Sequence, residues 1–168
     1  MPIVTAQLRK EHAELLPRIE DILKLADRIG QLAPEDLRRQ LYEVHAFLTN
    51  HLMPHAVAEE RVLYPTVARL LGAPGATATM SRDHVEVVRM GEALDSVRVR
   101  IAEGVPAEKD ERALRRILYG LHALLRVHFA EEEEIYLPLI DQGLSREEAA
   151  EMFEAMEAAE RDIKQSVR

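Results

Sequence analysis

Two copies of a His-x-x-x-Glu step, each set into an apolar seam, constrain this chain more than any other feature. His55 and Glu59 lie within HLMPHAVAEERVLYP (51–65), and His128 and Glu132 lie within HFAEEEEIYLP (128–138). A shift of 73 positions also brings Leu48 onto Leu121, Leu52 onto Leu125, Val62 onto Ile135 and Pro65 onto Pro138. A spacing of four places histidine and glutamate one turn apart on a single helix face. Leucines three and seven residues before each histidine make that face the apolar one. An unpaired carboxylate buried there costs on the order of several kcal/mol, and the matching seams offer no lysine or arginine. A cation is the partner that answers both charges.

The rest of the chain supplies the scaffold. At 168 residues it is long enough for one domain burying roughly 70% of its unfolded surface. Few aromatics and only seven glycines suit helices. Apolar periodicity predicts a first helix over 5–30, with Leu8, His12, Leu15, Leu16, Ile19, Ile22, Leu23, Ala26 and Ile29 on one stripe. A second runs over 34–63, kinked by Pro54, which cannot donate to the Asn50 carbonyl. After the Gly72–Thr77 loop, a third spans 79–102 with Met80, His84, Val87, Val88, Gly91, Leu94 and Ile101 inward. The fourth continues from Pro106 to about 140, its seam including Ile135. Ser145 and Glu148 have capping-box spacing at the start of a last amphipathic helix.

His12 and His84, 72 apart and each following an acid, extend the repeat. A helix pair used twice predicts an all-α fold, an up-down-up-down four-helix bundle with an additional C-terminal helix. Residues 1–140 form the bundle, and 141–168 pack on it or on a partner.

Four histidines and two glutamates are thereby directed into one cavity. His12 with His55 would hold one ion and His84 with His128 the other, Glu59 and Glu132 bridging. Mixed imidazole and carboxylate donors without thiolate suit iron, with manganese and zinc as alternatives. The bland rival is a core of satisfied histidines with glutamates reaching outward. It explains one histidine well and the set poorly. His51, one turn before His55, is a candidate further ligand or hydrogen-bond partner of one. His45 and His122 fall outside the repeat. Tyr64, Tyr119 and Tyr136 read as packing, and the Glu131–Glu134 run as solvated apart from Glu132.

Composition excludes several classes. A net charge of −8, with basic residues dispersed among acids, argues against nucleic acid. The absence of cysteine removes disulfides and iron–sulfur clusters. No stretch has signal-peptide or transmembrane character, so a cytoplasmic protein with no membrane partner, monomeric or homodimeric, is expected.

Residues 1 to about 140 resemble a hemerythrin-like protein, an HHE cation-binding domain, through H…HxxxE…H…HxxxE at His12, His55, Glu59, His84, His128 and Glu132 with its trailing LYP and YLP. The resemblance implies a four-helix bundle around two non-haem iron ions, bridged by oxo or hydroxo oxygen as well as by the two glutamates. Such proteins bind or sense O2, NO or iron, or act on peroxide. Oxygen carriers differ from this chain in a fifth histidine, four after the third, where Val88 stands, and in a carboxylate five rather than four after the last. A less saturated ion is therefore expected. That favours catalase- or peroxidase-like redox reaction with peroxide over O2 or NO binding without turnover, or iron handling.

Overall fold

A computed structural model describes residues 3–166. It contains five helical rods: α1 (Ala6–Arg28), α2 (residues 34–71), α3 (Ala78–Arg100), α4 (residues 108–143) and α5 (Arg146–Ser166). α1 and α3 both pack against α4, the first part of α2 meets α3, and the far ends of α2 and α4 meet each other. α5 lies along the middle of α2. Its start carries the expected reciprocal cap: Ser145 N–H donates to Glu148 Oε2 at 2.9 Å, and Glu148 N–H to Ser145 Oγ at 3.2 Å. No helix among the described residues is long and apolar enough to cross a membrane.

α2 and α4 are not uninterrupted α-helices. Residues Leu48–Leu52 and Glu59–Leu63 in α2, and Glu132–Tyr136 in α4, form wider π-turns. Each turn is followed two residues later by a proline: Pro54, Pro65 or Pro138. The proline ring lacks an N–H and crowds the carbonyl four residues back, so the backbone opens and closes its bond five residues apart instead. Met53, Tyr64 and Leu137 N–H accordingly donate to the carbonyls of Leu48, Glu59 and Glu132.

The extra residue in each turn corrects two expectations. Val62 and Ile135 were expected on the seam, three after each glutamate. The π-turn carries Leu63 and Tyr136 inward instead, leaving Val62 half-buried and Ile135 59% exposed. α2 also continues eight residues past the expected end at 63, through Tyr64–Leu71, and stops at Gly72, whose φ of +63° is a left-handed helix cap. Val88, expected inward, is 37% exposed, because Val87 and Gly91 take the seam nearest α2.

The core is layered along the bundle. One apolar cluster contains Ile19, Ile22, Leu41, Leu48, Leu94, Leu118 and Leu121. A second contains Leu8, Leu63, Tyr64, Met80, Leu137 and Ile140, and is completed by Met152, Phe153 and Met156 of α5. Between them each of the first four rods contributes one buried or nearly buried histidine. That polar layer is the site.

Candidate metal centre

The structure brings together all six residues of the repeated pattern. His12, His55, His128, Glu59 and Glu132 are each at most 4% exposed, and the His84 side chain is 13% exposed. His55 Nε2 lies 2.9 Å from Glu59 Oε1, and His84 Nε2 lies 3.3 Å from Glu59 Oε2, so Glu59 spans both halves. Glu132 does likewise, with Oε2 3.5 Å from His12 Nε2 and Oε1 3.6 Å from His128 Nε2. Among the described residues three groupings have donors close enough to share an ion: His12, His55, Glu59 and Glu132; Glu59, His84 and His128; and, on the outer side of His55, Glu11, His55 and Glu160.

Whether these residues suit a metal is tested by their unspent polar atoms. His12 Nε2, His55 Nε2, Glu59 Oε1 and Glu132 Oε2 are buried without a hydrogen-bond partner, the 2.9 Å approach of His55 Nε2 to Glu59 Oε1 lacking hydrogen-bond geometry. Buried polar atoms are ordinarily paired, and four such orphans in one layer need a common partner. The imidazoles are turned to provide it. His12 Nδ1–H donates to Glu133 Oε1 at 2.7 Å, and His84 Nδ1–H to Glu60 Oε1 at 2.8 Å. Asp83 Oδ2 lies 3.4 Å from His128 Nδ1 and Glu11 Oε2 lies 3.8 Å from His55 Nδ1. A carboxylate behind Nδ1 fixes the tautomer and leaves the Nε2 lone pair facing inward. His84 and His128 hold their Nε2 atoms 3.1 Å apart, a distance at which the two nitrogens share either a proton or a cation. The donor set fits.

Electrostatics agree. Burial pushes the Glu59 carboxyl up, but His55, joined by His12 and His84, outweighs it and holds Glu59 well below the usual carboxylate range. Burial, and then the charge on Glu59, push Glu132 well above that range. Without a cation the layer accommodates one charged carboxyl and one neutral one.

Three features escape a reading by helical periodicity. Tyr64 is one: its hydroxyl donates to Glu132 Oε1 at 2.9 Å and stands 3.4 Å from His84 Nε2 and 3.3 Å from His128 Nε2. Five residues past Glu59, it would point about 140° away on an ideal α-helix, and the π-turn swings it back. The other tyrosines are remote, Tyr136 donating to the Ala76 carbonyl and Tyr119 to Asp27. The second feature is the set of supporting acids. Glu133 is not simply solvated as expected, since it holds His12 and is itself held by Arg9 at 2.5 Å. The signal was available: Glu60 and Glu133 are 73 apart, and Glu11 and Asp83 are 72 apart. The third is Phe129, whose ring lies 4.7 Å from that of His12 and 6.0 Å from that of His55. It covers one half of the centre, and the repeat places Ala56 opposite.

His51 does not join the centre. It is exposed and stacks on Phe47 with ring centroids 6.3 Å apart. His45 is half-buried near Asp95, and His122 lies near Glu20.

Removing a supporting acid should weaken metal binding without disturbing the fold. Glu133→Ala frees His12 to rotate, and a loss of about 10- to 100-fold in affinity is expected, measured by competition with a chromophoric chelator. Glu134→Ala, an exposed neighbour, serves as the control and should change nothing.

A profile of the hemerythrin HHE cation-binding domain matches residues 4–140. Neither a curated protein nor a solved structure matches the chain. The matched span contains every member of the buried histidine–glutamate cluster, and the chain is a metal-binding protein that belongs to the hemerythrin HHE cation-binding domain family.

Proposed function

We propose that the first four helices form an up-down-up-down bundle around two iron ions bridged by Glu59 and Glu132, and that the centre reacts with peroxide. The observation that carries this reading is the convergence of orphaned buried atoms, His12 Nε2, His55 Nε2, Glu59 Oε1 and Glu132 Oε2. Iron, when bound, supplies the one-electron couple that these side chains lack.

The chain's own residues bias the outcome. His12, His55, Glu59 and Glu132 form a four-donor set packed against the Phe129 ring, each at most 4% exposed. The other half has His84, His128 and Glu59, with the Tyr64 hydroxyl in reach and an exposed Val88 where a carrier has a fifth histidine. Fewer imidazoles and more hard oxygen donors favour the higher oxidation state of iron, and reversible O2 carriage needs the lower one. Tyr64 also places an O–H beside the open half, from which a proton can be shared with Glu132. Disproportionation balances without an external reductant: two hydrogen peroxide molecules give two waters and one O2.

Iron-loaded protein should contain about two ions per chain and evolve O2 from hydrogen peroxide well above a free-iron control. A reversible, saturable spectral change with O2 or NO and no excess O2 evolution would instead establish a binding or sensing module. Iron uptake with neither response would leave iron handling.

A further inference from the structure

An apolar cavity of about 320 Å³ runs between α2 and α3 to the open half of the centre. His55, Glu59, His84 and His128 stand at its inner end, beside Phe129. Leu48, Leu52, Val87, Val88, Gly91 and Leu125 contribute the walls, and His45, Thr49 and Asp95 stand among its polar lining residues. Ala56 and Phe129, which correspond to each other in the repeat, both line it, the small residue from α2 and the ring from α4.

Size and lining together decide what this space is for. A water molecule's share of liquid volume is about 30 Å³, and an apolar protein cavity of about 150 Å³ holds benzene. A diatomic gas or hydrogen peroxide would occupy a small part of 320 Å³. Hydrogen peroxide, with two donors and four lone pairs, would also find almost no hydrogen-bond partner along these walls. A ligand with a polar oxygen terminus and a hydrocarbon body satisfies both ends: oxygen at Glu59, His84 and His128, hydrocarbon against the leucines and valines.

We propose that the centre's substrate is an organic hydroperoxide whose alkyl or aryl group fills this cavity. The inference rests on the peroxide-directed reading above and names its substrate class. Iron held by His84, His128 and Glu59 together with a partner ion at His12, His55 and Glu132 would supply the two electrons that, with two protons from solvent, break the hydroperoxide O–O bond to alcohol and water. A reductant such as a thiol or a reduced flavin would return those two electrons. Gly91 and Val88 set specificity: the first keeps the wall open, since a Cβ there would meet only Leu48 Cδ1 at 3.8 Å, and the second stands at the exposed end.

The test separates binding from turnover. Calorimetry of the iron-loaded protein with straight-chain alcohols, the non-reacting products, should show binding that tightens about fourfold per added methylene until the cavity is full. The rate of ferrous-centre oxidation by the corresponding hydroperoxides should rise with the same slope, with hydrogen peroxide the poorest substrate. Gly91→Leu should abolish alcohol binding at unchanged iron content, and Val88→Phe, which narrows the mouth from the surface, repeats the test if Gly91→Leu fails to fold. Absence of alcohol binding, or a rate independent of chain length, overturns the proposal even if O2 is evolved from hydrogen peroxide. Alcohol binding with the expected slope, but no oxidation by any hydroperoxide, keeps the cavity as a ligand site and overturns the peroxide chemistry.

Discussion

Glu59→Gln is expected to empty both metal positions, whereas Glu132→Gln should leave one filled. Glu132 belongs to one of the two inward-facing groupings of donors, its Oε1 on the His84–His128 side already accepting from the Tyr64 hydroxyl, and Glu59 belongs to both. Its two oxygens face opposite ways, Oε1 toward His55 and Oε2 toward His84. Glutamine keeps the volume but removes the charge that offsets a cation in a layer whose only other inward-facing carboxylate among the described residues is Glu132. Even an outer carboxylate changes metal affinity by roughly 10- to 100-fold, so loss of an anionic donor shared by both positions should exceed the upper figure at each. Iron per chain, measured after gel filtration, should fall from about two to near zero for Glu59→Gln and to about one for Glu132→Gln. Full iron content in Glu59→Gln would end the argument that this residue joins the two halves.

What could be read from sequence follows from what the backbone does between ligands. His55 with Glu59 and His128 with Glu132 were legible because each pair falls in α-helical geometry, before the helix widens. Counting at α-helical spacing past Glu59 or Glu132 displaces everything by a residue, so Val62 and Ile135 fall inward on paper and Tyr64 reads as packing. The prolines that force the widening are visible in the sequence. Pro54 predicts a kink, and Pro65 and Pro138 mark the repeat, but each of the latter also crowds a carbonyl within the turn that begins at Glu59 or Glu132. The supporting acids illustrate a different limit. Glu133 sits in a run of four glutamates, and nothing within that run separates it from its neighbours. Only comparison with Glu60 across the repeat does.

The same comparison shows where the two halves diverge, and the divergences concentrate on one side. Tyr64 corresponds to Leu137 and Phe129 to Ala56. Each exchange makes the halves unlike: Tyr64 brings a hydroxyl to the His84–His128 half that Leu137 cannot bring to the other, and Phe129 packs on His12 and His55 where Ala56 is only a small part of the cavity wall. A duplicated helix pair has thus become two unlike halves, without loss of any of the six repeated histidines and glutamates.

Removal of the metal should lower the melting temperature more than any single core truncation that spares the centre. Two carboxylates at 0–1% exposure are tolerable when cations lie between them and costly otherwise. Binding to the folded state alone adds about 4 kcal/mol when free ion exceeds its dissociation constant 1,000-fold. For a domain of this length each kcal/mol moves the midpoint by about 2–4 °C, so one such ion raises it by roughly 8–16 °C and a second adds to that. Leu118→Ala, a fully buried position away from the centre, costs about 2–5 kcal/mol and should shift the midpoint equally with and without metal. Hydrogen exchange should place the metal-dependent loss in the π-turns at Glu59–Leu63 and Glu132–Tyr136, whose wide backbone bonds carry the ligands, and spare the Ile19–Leu121 cluster. Calorimetry before and after chelation, with iron content measured on the same samples, decides it. An unchanged midpoint in iron-free protein would mean that the buried glutamates are compensated by the imidazoles alone, and the cation would no longer be needed to explain why they are there.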